Sequence, residues 1–255
     1  MSDIKATRWQ EFLLAVQFLT RLPVPQELPF SDDLLIRATR FYPLVGLIVG
    51  AIGAAVLYAA ALVWPMPVAV LLSIAATIFA TGAFHEDGLA DAADGLGGGL
   101  TRERALEIMR DSRIGTYGTV TLGLVLALKA AALMSLAPLD AALALLIGHG
   151  VSRMAAVQVV QWDDYARDKG AKFVAPTVTP EGYRVALITA LVILAAAVFW
   201  FGVPPILTGV VIAVLAGWRL RVIFLRKLGG YTGDCLGGMQ QVTELGLYLG
   251  LAAWL

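Results

Sequence analysis

Residues 85 to 95 read His-Glu-Asp-Gly-Leu-Ala-Asp-Ala-Ala-Asp-Gly, so Glu86, Asp87, Asp91 and Asp94 crowd into one short segment directly after an apolar run. On a helix, at about 100° per residue, Asp87, Asp91 and Asp94 fall within about 60° of one another and line one face. Like charges that close repel unless a cation holds them. Oxygen-only ligands suit a hard divalent ion, and Mg²⁺ typically takes one or two carboxylates and completes its shell with water and phosphate oxygen. The pattern therefore points to metal-assisted phosphate chemistry. Glu86, about 100° round the helix from Asp87, is a ligand or a partner of ligands. Gly88 and Gly95 each cost about 1 kcal/mol inside a helix, and close approach of the backbone to a ligand is the expected reason for them. His85 could be base, ligand or packing residue, and without a partner in sequence the packing role is the simplest.

Two further segments carry chemistry. After Gly97-Gly98-Gly99, Thr101 is placed to cap a short helix ending near Asp111. The run Asp111-Ser-Arg-Ile-Gly-Thr-Tyr-Gly then sets Asp111, Ser112 and Arg113 beside the start of an apolar helix, whose unpaired N–H groups and dipole favour an anion. Arg113, with Arg110 as a second candidate, offers the forked contact to phosphate that a lysine lacks. Near the other end, Gly229-Gly-Tyr-Thr-Gly-Asp-Cys-Leu-Gly-Gly opens the last hydrophobic run, and Gln240, Gln241 and Glu244 follow inside it. Polar groups within a membrane segment are expensive and usually functional. Asp234 and Gln241, seven residues apart, share a face, with Glu244 about 80° round the helix. Lys129 lies deep in its own apolar run and is expected to snorkel outward. His149 and Arg153 share a face by their spacing.

The elements that must position these residues are membrane helices. Of the 255 residues 59% are hydrophobic and only 15% charged, and the mean hydropathy is +0.78, far from a soluble domain. Nineteen Lys and Arg balance nineteen Asp and Glu, so no nucleic-acid partner is expected. Cys235 is the only cysteine, which excludes an intrachain disulfide and argues against a thiolate zinc site. Residues 12 to 20 are too short an apolar run, with acids before and Arg21 and Pro23 after, to read as a signal peptide. Crossing a ~30 Å hydrocarbon core takes roughly 20 apolar residues. Six runs qualify, at about 41 to 63, 66 to 84, 115 to 136, 138 to 161, 184 to 201 and 204 to 223, and residues 231 to 255 make a plausible seventh despite Asp234 and Glu244.

The fold class expected is thus all-α, a polytopic membrane bundle of six to seven spans forming one domain over 1 to 255. A short amphipathic helix over 9 to 20 would lie at the interface. The tight turns at 64 to 67, 135 to 140 and 200 to 205 hold no Lys or Arg. The other connections concentrate them: Lys5, Arg8, Arg21, Arg37 and Arg40; then Arg102, Arg104, Arg110 and Arg113; then Arg167, Lys169, Lys172 and Arg184; and finally Arg219, Arg221, Arg226 and Lys227. The positive-inside rule then puts the N-terminus and the chemistry-bearing segments 85 to 118 and 229 to 244 in the cytoplasm, with topology the main role of the basic residues. Asp234 comes at the same end as Asp87, so the two could meet across the bundle.

With these residues in hand, the chain resembles the adenosylcobinamide-GDP ribazoletransferases, the cobalamin-5′-phosphate synthases. The likeness rests on Phe18-Leu-Thr-Arg-Leu-Pro-Val-Pro, Asp87-Gly-Leu-Ala-Asp-Ala-Ala-Asp-Gly, Glu107-Ile-Met-Arg-Asp-Ser-Arg-Ile-Gly-Thr-Tyr-Gly and Gly230-Tyr-Thr-Gly-Asp-Cys-Leu-Gly-Gly, which cover the chain from end to end. The resemblance implies a multi-pass inner-membrane enzyme dependent on Mg²⁺, one ion or two, with Mn²⁺ as a substitute. It further implies condensation of adenosylcobinamide-GDP with α-ribazole or its 5′-phosphate, giving adenosylcobalamin or its 5′-phosphate and releasing GMP. On that reading Asp87, Asp91, Asp94, Asp234 and Glu86 hold metal, and Arg113, Arg110, Ser112, Gly88, Gly95, Gln241 and Glu244 contact substrate. Asp94 and Asp111 are the candidate catalytic bases. A homo-oligomer is compatible with this.

Two rival readings remain. The CDP-alcohol phosphotransferases also use Asp-Gly-x-x-Ala at a helical metal site to displace a nucleoside monophosphate, but their motif continues with Arg where this chain has Asp91. An ion-coupled transporter would spread its acids across the bilayer, whereas these cluster at one end, and no inverted repeat is evident.

Overall fold

The computed structural model describes residues 6–166 and 177–255. Among these the chain is helical throughout, with one isolated parallel bridge between Tyr165 and Tyr231 and no strand. The helices are α1 (Arg8–Leu19), α2 (Asp32–Ala38), α3 (Tyr42–Ala61), α4 (Met66–Thr81), α5 (Phe84–Gly98), α6 (Arg102–Ile108), α7 (Thr116–Met134), α8 (Pro138–Trp162), α9 (Pro180–Phe201), α10 (Val203–Leu228) and α11 (Gly233–Ala252). A 3₁₀ turn over Thr39–Phe41 joins α2 to α3.

Five helices are long and apolar enough to cross a membrane, α3 counted with α2, and a sixth span exists if the bent pair α4–α5 is taken as one. The sequence suggested a straight span at 66 to 84. Instead α4 stops after 16 residues, about 24 Å at 1.5 Å per residue, and α5 leaves at 88° to it. Gly82 and Ala83 both take left-handed backbone, at φ 65° and 58°. Arg21 fills the outside of this corner: its N–H donates to the Ala80 carbonyl at 2.7 Å, and a Cβ on Gly82 would lie 2.4 Å from its Nε. A straight continuation would carry the acids away from the bundle; the corner lays them across it.

The seventh run is α11, a 20-residue helix that packs against α5, α7, α8 and α10. Its own polar side chains keep it out of the apolar spans, and the bundle accommodates them by surrounding it. Small residues bring the backbones together, as membrane interfaces favour. A Cβ on Gly250 would sit 2.1 Å from Gly209 of α10, and one on Gly46 of α3 would sit 2.2 Å from the His149 carbonyl of α8. Large apolar side chains face outward, among them Phe79 at 79% exposed and Phe199 at 92%, as suits a surface covered by lipid chains.

The 12-residue α1, about 18 Å long, is too short to span. Its Leu14, Ala15, Val16 and Leu19 are buried in a cluster with Leu34, Tyr42 and Val45. Several arginines read as topology signals hold specific partners. Arg40, 3% exposed, lies between Glu11 and Glu181 at 3.8 and 3.5 Å. Arg102 donates to the carbonyls of Leu228 and Ala166. Lys5, Arg167, Lys169 and Lys172 lie outside the described residues.

Contacts far apart in sequence fix the two ends of the bundle. Tyr231 N–H donates to Asp164 O at 2.9 Å, Ala166 N–H to Tyr231 O at 2.8 Å, and Arg102 closes on the same strip, so the ends of α8 and α10 and the starts of α6 and α11 gather together. At the other end Trp200 Nε1 donates to Asp140 Oδ1 and Trp254 Nε1 to Thr208 Oγ1, both at 3.0 Å.

Candidate active site

The acidic segment is helical, as its spacing required, and α5 crosses α11 where two glycines meet. A Cβ on Gly88 would come 3.2 Å from both the Asp234 carbonyl and the Gly237 Cα, and one on Gly237 would come 3.1 Å from the Gly88 Cα. The first turn of α11, which carries Asp234, therefore packs against the turn of α5 that carries Asp87 and Gly88. Thr232 caps α11, its hydroxyl accepting from Cys235 N–H at 3.3 Å and donating to Asp234 Oδ2 at 3.2 Å. Along α5 the acids differ in setting: Asp87 is exposed, Asp91 half-buried and Asp94 buried.

Gly88 and Gly95 were expected to admit a ligand. Their space belongs to the protein: Gly88 faces α11, and a Cβ on Gly95 would strike Met109 Cγ at 2.4 Å and the Ala105 carbonyl at 2.8 Å. The glycines let α5 sit close to α11 and α6.

Asp94 differs from the other acids in role. Its Oδ2 accepts Gly115 N–H at 2.7 Å and its Oδ1 accepts Gly118 N–H at 2.8 Å. The anion expected at the start of α7 is thus a side chain of α5, and substrate phosphate would have to displace it. Both glycines are required here, since a Cβ would lie 2.5 Å from Asp94 at Gly115 and 2.3 Å at Gly118. Tyr117 packs over Gly97, where a Cβ would meet its ring at 2.8 Å.

Between α6 and α7, Asp111 and Arg113 close on each other. Arg113 donates from Nε to Asp111 Oδ1 at 3.0 Å and from Nη2 to Oδ2 at 2.6 Å, and its N–H donates to Oδ1 at 3.1 Å. The side-chain hydrogen bonds from Arg113 hold the Asp111 carboxyl down to about 2, which makes it a weak proton acceptor at neutral pH. Ser112, Arg113 and Arg110 are exposed.

Glu86, Gln241 and Glu244, drawn from sequence as site residues, belong to a buried polar network beneath α5. Gln241 Nε2 donates to Glu86 Oε1 and to Gln240 Oε1, each at 2.9 Å. Lys129 Nζ donates to Gln241 Oε1 at 2.7 Å and to Glu244 Oε1 at 2.8 Å. Glu244 Oε2 takes Gln240 Nε2 and faces His149 Nδ1 at 3.2 Å, while Tyr248 OH donates to Oε1 at 3.1 Å. Arg153 Nη1 donates to the His149 carbonyl at 2.8 Å, and Gln240 Nε2 reaches Ser152 Oγ at 2.9 Å. Lys129, 4% exposed, points inward to this network and does not snorkel. Burial costs an ammonium far more than pairing it with a carboxylate in reach. Sequence reasoning missed the pairing. The available signal was charge balance: Lys129 and Arg153 are cations stranded in apolar runs, with Glu244 an acid equally stranded.

Among the described residues no three His, Cys, Asp or Glu side chains lie close enough together to hold a metal ion as a group. Asp94 is engaged with α7, Glu86 with Gln241 and Asp234 with Thr232, and Asp87, Asp91 and Asp234 are the carboxylates carried by the two helices at the crossing. One or two of these carboxylates would suffice for a Mg²⁺ that draws its remaining ligands from water and phosphate. The hard-oxygen chemistry and the exposure of Asp87 agree with such an ion.

Comparison with known proteins decides the lineage. The family model described as cobalamin-5-phosphate synthase matches residues 11–252. The chain belongs to that family. Curated relatives named adenosylcobinamide-GDP ribazoletransferase run alongside it for nearly its whole length. The protein from Leptothrix cholodnii is 46% identical, covering 95% of this chain and 94% of the relative. That from Ralstonia nicotianae is 46% identical, covering 94% of each, and that from Vibrio vulnificus 41%, covering 96% of each. No solved structure matches. As a family member the chain is a membrane transferase of cobalamin biosynthesis, and the four sequence patches that carried the resemblance map onto the Arg21 corner, α5, the α6–α7 junction and the start of α11.

Proposed function

We propose that this enzyme condenses adenosylcobinamide-GDP with α-ribazole or α-ribazole 5′-phosphate, giving adenosylcobalamin or its 5′-phosphate and GMP. What carries the reading is the end-to-end identity with relatives bearing the ribazoletransferase name. A 3′-hydroxyl of the ribazole attacks the phosphorus attached to cobinamide; the new O–P bond forms, the bond to GMP breaks, and the hydroxyl proton leaves to solvent. Both substrates are anionic, so the principal obstacle is charge, and fixed groups of opposite sign are the effective remedy.

Asp87, Asp91 and Asp234 would hold Mg²⁺, as one ion or two, or Mn²⁺ in its place. When bound it supplies the charge that diphosphate oxygens require. Arg110 and Arg113, exposed beside the acidic helix, bind phosphate of the incoming substrate, Arg113 by exchanging Asp111 for it. Asp111, held ionised by Arg113, sets that guanidinium in place. Asp94 keeps the start of α7 against α5. The acidic end faces the cytoplasm of an inner membrane, in accord with the concentration of Lys and Arg there and with the nucleotide substrate.

The test is GMP release by purified protein in lipid nanodiscs given adenosylcobinamide-GDP, α-ribazole 5′-phosphate and Mg²⁺. Stoichiometric GMP and cobalamin 5′-phosphate are expected, with loss in Asp87→Asn. No GMP, or full activity in that variant, overturns the proposal.

A further inference from the structure

The helix bearing the acids begins without a side-chain cap on its first turn, and Ala83, at its N-terminal cap, is in left-handed backbone. The turn packs through His85 and Gly88 against Gly237, and among the described residues its one side-chain hydrogen bond to α11 is made by Glu86 through one oxygen: Oε1 accepts from Gln241 Nε2 at 2.9 Å, whereas Oε2 is buried with no hydrogen-bond partner. That bond therefore depends on which way the Gln241 amide points. Its carbonyl is turned to the Lys129 ammonium at 2.7 Å, which leaves its N–H groups for Glu86 and Gln240. A flipped amide would set its carbonyl against the Glu86 carboxylate and its N–H groups against an ammonium, repulsive on both sides. Lys129 is fixed in turn by Glu244 at 2.8 Å, with both side chains about 5% exposed or less.

We infer that Lys129 and Glu244 are positioning residues, which through the orientation of Gln241 fix Glu86 and with it the turn of α5 that carries Asp87. The inference rests on the proposed reading of Asp87 and its neighbours as cation ligands. It assigns to a charge pair inside the bundle the role that partners behind metal ligands play, where their loss typically lowers affinity about 10- to 100-fold. The chain of contacts runs from α7 and α11 to α5, from Lys129 and Glu244 through Gln241 to Glu86.

The test reads divalent-cation binding directly, by the electron paramagnetic resonance signal of free Mn²⁺ titrated into protein in nanodiscs. Two variants are used, Gln241→Leu and the charge-neutral double variant Lys129→Met/Glu244→Gln. Lys129→Met alone would strand Glu244 without its cation and endanger folding. Both variants are expected to bind Mn²⁺ roughly 10- to 100-fold more weakly, and the KM for Mg²⁺ is expected to rise more than kcat falls. If the double variant does not elute as a monodisperse species, Gln241→Leu decides. Unchanged Mn²⁺ affinity in the folded variants, with affinity lost in Asp87→Asn, overturns the positioning role alone. Unchanged affinity in Asp87→Asn overturns the cation reading and the inference with it.

Discussion

Asp94 accepts the backbone N–H of Gly118 at 2.8 Å, so that a carboxylate of α5 serves as the N-terminal cap of α7. With Gly115 held the same way, two amide donors that α7 itself leaves unpaired are satisfied, and the negative charge lies at the favourable end of the helix dipole. Asp94→Asn keeps one acceptor and loses the charge, and a hydrogen bond to a charged group is worth about 1.5–3 kcal/mol. Thermal unfolding in detergent should therefore register a loss of about 2 kcal/mol. An Asp94→Asn protein that melts like the parent while losing cation binding would instead make Asp94 a metal ligand.

The Gly88–Gly237 crossing sets the distance between α5 and α11. In Gly88→Ala the new methyl, 3.2 Å from the Asp234 carbonyl and the Gly237 Cα, forces the backbones apart by a few tenths of an ångström. The acids on either side move with them. Catalysis is steeply sensitive to placement, about 10²-fold for a 1 Å error, so kcat is expected to fall roughly tenfold on that scale, while the melting temperature changes little. Steady-state kinetics beside a melting curve separates the two. Equal losses in both would assign the crossing to stability alone.

Much of this arrangement was legible in the sequence because it rests on local rules. The helical period of Asp87, Asp91 and Asp94, the cap at Thr101 and the apolar lengths of α3 and α7 to α10 are written in adjacent residues. The corner at Gly82 was not legible: an apolar run up to Phe84 looks like one span, and only the packing of Arg21, 61 residues earlier in the chain, shows where it breaks. The partners of Asp94 and Lys129 were hidden for the same reason, being set by helix–helix register. The glycines misled in a specific way. Close approach was the right inference for Gly88 and Gly95, but the approaching group is another helix.

The Asp111–Arg113 pair makes a statement about pH. Arg113 holds the carboxyl of Asp111 down to about 2, below its usual value of 3.8. A lowered carboxyl stabilises the folded loop above the usual carboxylate range, and that contribution is lost only as pH falls through about 2. Across pH 5 to 9 the pair stays ionised, so an acidic limb in the kcat/KM profile cannot come from Asp111. Asp111→Asn should lower kcat/KM, by freeing Arg113 from its set position, yet leave the pKa of any acidic limb where it was. Disappearance of that limb in Asp111→Asn would restore Asp111 as the base.

Arg221 ties α8 to α10 at the end of the bundle where the site lies. Its guanidinium forks onto Asp163, with Nε to Oδ2 at 2.8 Å and Nη2 to Oδ1 at 2.5 Å, and stacks between the rings of Trp162 and Trp218 at 5.6 and 5.2 Å. Asp163 is followed directly by Asp164, whose carbonyl accepts from Tyr231 at 2.9 Å, so this clamp also sets the strip that leads into α11 and Asp234. Lysine preserves the charge but can neither fork nor stack flat. Arg221→Lys is expected to cost about 1–2 kcal/mol on the scale of partly buried cation–π contacts. Tryptophan fluorescence should shift as the cation leaves the rings. Activity should fall further than stability, because the start of α11 loosens. Unchanged tryptophan emission and unchanged kcat in Arg221→Lys would show that Asp163 holds the strip without the stacked cation.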